Sequence, residues 1–306
     1  MNETSSYCIS NKVLFGSYPT QTIVQDLEEK GVVCFVNLTN PIEKNIYPYI
    51  TNHAKIFNFP INDRSVPRDW EQFGKLIVKI SNIYHGLREK ESIYIHCRGG
   101  HGRSGVLVAC LIAFIENISP EDSITKTMIS HQKREKMREK WRIIGSPQTR
   151  GQKTFVYRYF APFFVLKIYK GGDTEGMSVG SNHGVLVEDV GFFNTAEGAI
   201  HAHKDLEDKA FVKLLMKEKD PKKCWKIGIQ KKVPDDWEEK KYQIIHNILK
   251  LKYMQNIQIK RNLMKTGLRP IIVLTRIDMN WENNSNDTNV VGKILLNVRN
   301  DFYEEE

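Results

Sequence analysis

Apolar residues in the first half of the chain recur with two different periods. Gly31–Leu38 (GVVCFVNL) is a compact β-branched run, and Lys55–Phe59 (KIFNF) and Ser92–His96 (SIYIH) are two more. Short apolar runs bounded by turn residues predict buried strands. Between the second and the third, Trp70–Leu87 carries Phe73, Leu76, Ile77, Ile80, Ile83 and Tyr84 at helical spacing. After the third, a glycine-rich turn leads into the apolar helix Gly105–Ile115. Strands alternating with helices predict an α/β domain, a central sheet flanked by helices. The charge-dense Lys133–Arg142 (KREKMREKWR) reads as a solvated helix face, and helical spacing resumes over Gln148–Phe164.

The texture changes at Lys170–Gly176 (KGGDTEG), a small, polar, glycine-rich stretch that reads as a linker. We place one domain at 1–168, the linker at 169–177 and a second domain at 178–306. In the second domain helical patterns dominate, over Asn194–Met216 and Trp237–Met264, and Pro270–Thr275 is the clear strand candidate. A mainly α, α+β domain is expected there. The acidic tail Glu304–Glu306 reads as solvated and frayed.

Composition narrows the class. At 41% hydrophobic and 26% charged residues the chain is an ordinary soluble globular protein, and its 306 residues suffice for about two domains. A net charge of +9 favours anionic partners such as phosphoproteins, nucleotides or nucleic acid. Five scattered cysteines, Cys8, Cys34, Cys97, Cys110 and Cys224, argue against a disulfide framework or a structural zinc site. A reducing compartment, the cytoplasm, is expected. The first fifteen residues lack the pattern of a signal peptide, and no apolar run reaches the length of a membrane span. No membrane partner is expected.

The informative stretch is Ile95-His-Cys-Arg-Gly-Gly-His-Gly-Arg-Ser-Gly105. A predicted strand ends at His96, and a helix starts near Arg103. The intervening Arg98, Gly99, Gly100, His101 and Gly102 can turn successive backbone N–H groups inward as an anion nest, aided by glycine freedom and the helix N-terminus. Cys97 sits at the floor of that nest. A free thiol titrates near ~8.5, and helix N-termini and cations bring such thiols to roughly 3.5–7.5, so a thiolate is expected. Arg103 can grip two phosphoryl oxygens with its planar fork. The Ser104 hydroxyl can stabilise the departing thiolate. A metal site using His96, Cys97 and His101 lacks a fourth ligand, and the Gly-Lys-Ser/Thr ending of an ATP-binding loop is absent.

The Cys-x5-Arg-Ser arrangement resembles the signature loop of protein tyrosine and dual-specificity phosphatases. Thiolate attack on a phosphate ester needs an acid to protonate the leaving group. Asp63 in Phe59-Pro-Ile-Asn-Asp-Arg-Ser-Val-Pro67 matches the acid loop of the dual-specificity members. Gly145-Ser-Pro-Gln-Thr-Arg-Gly-Gln152 resembles the loop whose glutamine positions water; Gln148 is the better match and Gln152 the second. The resemblance implies hydrolysis of phospho-Tyr and phospho-Ser/Thr of proteins through a phosphocysteine, with no metal or other cofactor. Two alternatives stay open, a non-catalytic phosphatase-fold binding module and an RNA 5′-phosphatase.

Residues from about 178 to 303 resemble the NADAR domain. The matching pieces are Asn194–His201 (NTAEGAIH), Lys252–Asn256, Leu263-x-x-Thr-Gly267, Asp278-x-x-Trp281 and Asn289–Arg299. The resemblance implies cleavage of N-glycosidic bonds of ADP-ribose or riboflavin-pathway derivatives, or non-catalytic binding of an ADP-ribosylated or nucleotide-like ligand. Glu197, His201 and Lys204 fall on one helix face. Glu197 could stabilise a ribosyl cation or activate water, Trp281 could stack on a base, and Lys204 could meet a phosphate; Asp278 shares the tryptophan's motif. The chain departs from the family at Gly198, where histidine is usual, and at Glu282 and Asn283, where glycines are.

Overall fold

The computed structural model describes residues 4–44, 46–165, 174–275, 281 and 289–304. Contacts divide the chain into two compact units, Met1–Phe160 and Ala161–Glu306.

In the first unit five strands form one sheet: β1 (Ser5–Ile9), β2 (Val13–Gly16), β3 (Val32–Asn37), β4 (Lys55–Asn58) and β5 (Ser92–His96), in the order β1-β2-β5-β3-β4. The strands read from the sequence as β3, β4 and β5 are there. The hairpin β1–β2 is additional, and it is the antiparallel pair. Ser10 and Asn11, both at positive φ, close it, with Lys12 N donating to Ile9 O at 2.8 Å. Such two-residue turns match the twist of paired strands. The other pairs are parallel, and Gly16, His96 and Asn37 share one register. The loops after β2, β3 and β5 therefore leave the sheet side by side, at the carboxyl end where open α/β sheets receive ligands.

Helix α1 (Gln21–Glu29), capped by Thr20, packs Val24 and Leu27 on Leu14, Val32 and Phe35. Helix α2 (Trp70–Gly86) is capped by Asp69. Helix α3 (Arg103–Ile115) is buried from Arg103 to Ala113 and packs on β2, β5 and α4 (Pro120–Gln132). Each fully buried Val, Leu or Ile contributes roughly 1.5–3 kcal/mol, so the core anchors α3 firmly behind the glycine-rich turn. Helices α5 (Glu139–Ile144) and α6 (Arg150–Phe160) complete the unit.

Two expectations change here. Lys133–Arg142 is not a continuous solvated helix: α4 ends at Gln132, α5 begins at Glu139, and Arg134 between them is 2% exposed. Carbonyls of Phe15 and Gly100 accept from its guanidinium, which draws the chain inward. The helix expected over Gln148–Phe164 stops at Phe160, because Phe163–Val165 (β6) pairs in parallel with Ile271–Val273 (β9) of the second unit. The contact boundary thus precedes residue 168, and residues 169–173 of the expected linker lie outside the described residues.

The second unit is helix-rich. It holds the hairpin β7 (Val185–Val187) and β8 (Gly191–Phe193), then α7 (Ala196–Ala202), α8 (Lys209–Lys217), α9 (Pro221–Gln230), α10 (Trp237–Gln255), α11 (Ile257–Met264) and α12 (Val290–Glu304). Each long helical stretch read from the sequence is a pair: α7 and α8 are separated by a turn, and α10 and α11 meet at Asn256, whose φ of −127° and ψ of 80° break the helix. The strands β6, β7 and β8 escape a periodicity reading because three residues are too few to show a period. Among the described residues no helix is long and apolar enough to cross a membrane.

Candidate active site

The turn after β5 is tied from its outer side. Tyr18 N donates to Arg98 O (3.1 Å), Arg134 Nη2 to Gly100 O (3.0 Å) and Ser146 Oγ to His101 O (2.6 Å). Holding these carbonyls outward turns the peptide N–H groups toward the cavity, the geometry of an anion nest. Gly100 is at φ 72°, and a Cβ there would stand 2.3 Å from the Gly16 carbonyl. At Gly105 a Cβ would meet Ser146 Oγ at 2.1 Å. These two glycines let the loop lie directly on its neighbours.

A cavity of about 250 Å³ opens over the loop. Cys97, Arg98, Gly99, His101, Gly102 and Arg103 line it together with Asp63, Arg64, Trp141 and Gln148. Gly100 stands on the far side, against Gly16. Ser104 is fully buried, and its hydroxyl has no hydrogen-bond partner among the described residues. Gln152 lies behind Gly102, with Nε2 donating to Ser65 O at 3.1 Å and Oε1 accepting from Thr149 N. Of the two glutamines, Gln148 is the one that faces the cavity.

Arg103 is 2% exposed and fixed from several sides. Both terminal nitrogens donate to the Glu43 carboxylate, Nη2 at 3.0 Å, and Nη1 also donates to Ile61 O at 2.9 Å. Asp63 Oδ1 lies 3.1 Å from Nη2. Burial acts against the Arg103 charge, but Glu43, Cys97 and Asp63 outweigh it and raise its pKa. Burial likewise acts against the Glu43 carboxylate, and Arg103 outweighs it, so Glu43 titrates below its usual range. Sequence reasoning missed Glu43. The available signal was Asn40-Pro41-Ile42-Glu43, a turn at the carboxyl end of β3, in which Asn40 N donates to Glu43 Oε1.

The residue before the cysteine is also held. Tyr49 Oη lies 2.7 Å from His96 Nε2, and burial pushes the His96 pKa down to about 3. On the cavity wall His101 Nδ1 lies 2.7 Å from His131 Nε2, and the His101 ring stacks on Trp141 at 5.1 Å. Burial, then the Arg134 charge, lowers His101 to about 4 and His131 to about 3. The other cysteines stand apart from this cavity, and burial raises the thiol pKa of Cys34 to about 12 and of Cys224 to about 11. Among the described residues no group of three or more His, Cys, Asp or Glu is placed to hold a metal ion.

In the second unit three residues meet. His201 Nε2 lies 3.2 Å from Glu197 Oε1, Trp281 Nε1 donates to Glu197 Oε2 at 3.2 Å, and the two rings are 4.9 Å apart. All three are buried, Glu197 completely, so the helix face is internal rather than solvated. Burial, then Lys204, lowers the His201 pKa to about 3. Lys204 follows α7 and donates to Gly228 O at 2.9 Å, with its Nζ over the Trp237 ring. Gly198 abuts Leu215 O and Cys224 Sγ, at 3.2 and 3.3 Å from a Cβ built there. Asp278, Glu282 and Asn283 lie outside the described residues.

Comparison with known proteins agrees with both halves. Residues 4–156 match the family model "Swiss Army Knife protein, DSP-PTPase phosphatase domain", and residues 164–303 match the NADAR domain. The chain is 36% identical to "Putative tyrosine phosphatase 067L" of Invertebrate iridescent virus 3, over 57% of this chain and 72% of that one. It is 44% identical to "Putative tyrosine phosphatase 197R" of Invertebrate iridescent virus 6, over 49% of this chain and 51% of that one, about half of that relative's length. The crystal structure of Tk-PTP in its active form aligns at 19% identity with a TM-score of 0.40, over 50% of this chain and 94% of that one. The chain belongs to the DSP-PTPase phosphatase domain family, and a NADAR domain follows its phosphatase domain.

Proposed function

We infer that the first unit hydrolyses phosphate monoesters on proteins, phosphotyrosine and phosphoserine or phosphothreonine, through a phosphocysteine. One observation carries this reading: Cys97 shares a cavity with Arg103, a guanidinium already oriented by Glu43. A phosphoryl group seated on the loop amides and on Arg103 presents its phosphorus to the Cys97 sulfur. The S–P bond forms as the ester O–P bond breaks, and Asp63, at the rim beside Arg103, gives its proton to the leaving oxygen. Water held by Gln148 then attacks the phosphocysteine and passes a proton back to Asp63, and the thiolate departs toward the Ser104 hydroxyl. Arg103 and the amides carry the developing charge. The reading includes a reducing compartment, where Cys97 stays free.

Turnover of an aryl phosphate tests it. Wild type should release phosphate and, when acid-quenched, retain a phosphoryl group on Cys97 by mass spectrometry. Cys97→Ser should lose turnover and still bind a phosphopeptide. Substantial hydrolysis by that variant would exclude the covalent route, and activity confined to 5′-phosphorylated RNA would replace proteins by RNA as the substrate.

For the second unit we infer cleavage of an N-glycosidic bond in an ADP-ribose or riboflavin-pathway derivative, with Glu197 as the carboxylate. The meeting of Glu197, His201 and Trp281 favours this reading. Release of ADP-ribose by wild type and its loss in Glu197→Gln is the test. Binding without release in both proteins would leave a ligand-binding role.

A further inference from the structure

A second groove, of about 540 Å³, lies on the phosphatase unit away from Cys97. Val66, Trp70, Arg150, Thr154, Phe155 and Arg158 form its walls. Arg150, Thr154 and Arg158 recur every fourth residue on α6, so they share one face, and the two arginines stand roughly 12 Å apart along the axis. Both guanidinium groups are exposed, and neither has an ion pair, hydrogen bond or ring partner among the described residues. Arg103 and Arg134, by contrast, are fully engaged. Between the arginines lie Thr154 and the rings of Trp70 and Phe155. Trp70 is half-buried and packed on Phe155 and Tyr159, with ring centroids 5.5 and 5.2 Å apart.

The groove adjoins the catalytic cavity along two stretches of chain. Asp63 and Arg64 line the cavity and Val66 lines the groove, while Gln148 lines the cavity and Arg150 the groove. The bond from Gln152 Nε2 to Ser65 O fastens these stretches to each other. We propose that the groove is an accessory substrate site that takes an acidic segment of the phosphorylated polypeptide, two carboxylates on Arg150 and Arg158 and an apolar side chain between them on Trp70. The proposal rests on the phosphatase reading and deepens it. An extended peptide rises about 3.4 Å per residue and alternates its side chains between two faces, so the two acidic side chains belong about four residues apart, with the apolar side chain midway on the same face. A polypeptide is favoured over single-stranded nucleic acid because nucleic-acid grooves offer successive open rings on which bases stack. Here Trp70 is the one ring at the surface, and Phe155 is buried.

The experiment compares kcat/KM for two phosphotyrosyl peptides that differ only in a pair of glutamates, four residues apart, against glutamines. The full chain should prefer the acidic peptide about fivefold, the range of two exposed charge pairs, through KM. Arg150→Gln with Arg158→Gln should bring the ratio near one, while Arg150→Lys with Arg158→Lys and the distant Lys90→Gln should keep it. Raising the salt should reduce it in wild type. Equal rates for the two peptides, or a preference that survives the glutamine pair, overturns the groove. So does an arginine dependence seen only with a 5′-phosphorylated oligonucleotide. Aryl phosphate run in parallel separates the two failures. Its turnover with peptide turnover but no peptide preference sinks the groove alone. Its turnover without peptide turnover sinks the groove and the protein substrate but leaves the phosphocysteine chemistry. Its absence sinks the phosphatase reading, and the groove with it.

Discussion

Arg103 and Glu43 form a pair that shapes the chemistry from one side chain to the next. A guanidinium on a flexible stem loses rotamer freedom when it grips a phosphate, and a carboxylate bonded to both terminal nitrogens removes that freedom beforehand. Glu43→Gln keeps the shape and deletes the charge. A misplacement of about 1 Å can cost on the order of 100-fold, so kcat/KM for an aryl phosphate should fall roughly 10- to 100-fold, as steady-state kinetics will read. A change under about twofold would remove Glu43 from the positioning role. Asp63→Asn tests a different step. Without a proton to give, hydrolysis of alkyl phosphates should drop far more than that of nitrophenyl phosphate, whose leaving group needs little help. Equal losses for both would take Asp63 out of the acid role.

The phosphate loop depends on the elements it joins. Helix α3 anchors its end in the core, β2 backs it at Gly16, and Arg134 reaches up from the α4–α5 connection to bond Gly100 O. Gly100→Ala strikes at this arrangement twice. The left-handed φ of 72° costs a non-glycine residue roughly 1–2 kcal/mol, and the new methyl collides with backbone of β2 rather than with a movable side chain. Thermal melting should shift down by several degrees, and turnover should fall more than the melting point alone explains. A variant with unchanged melting and near wild-type turnover would show that the contact with Gly16 does not set the loop.

At the scale of the whole phosphatase unit, buried imidazoles link folding to pH. His96 and His131 are neutral in the folded chain because burial pushes both down to about 3, and the ordinary unfolded value is ~6.5. Between those values the unfolded chain binds the extra protons, so stability rises with pH. The contribution is complete above about pH 6.5 and is lost as pH falls toward 3. Urea midpoints should therefore decrease steadily below about pH 6. His96→Asn should flatten that dependence, and an unchanged slope would mean that other groups carry it.

Much of the site could be read in the chain because its parts are local. Cys97, Arg103 and the glycines lie within one strand-turn-helix, where spacing alone fixes which groups surround the anion. Asp63 was read from its own loop, and Glu197 and Trp281 from separate motifs of one expected site, although the direct bond between them was not legible. The partners that came from elsewhere were hidden. Glu43 reaches Arg103 across sixty positions, Arg134 reaches Phe15 across 119, and Tyr49 reaches His96 across 47. A local sequence window carries the turn chemistry, the periodicity and the nucleophile. The parallel pairing of β2, β5 and β3 decides which distant carboxylate and which distant cation stand beside them, because only the sheet register brings those loops to one edge.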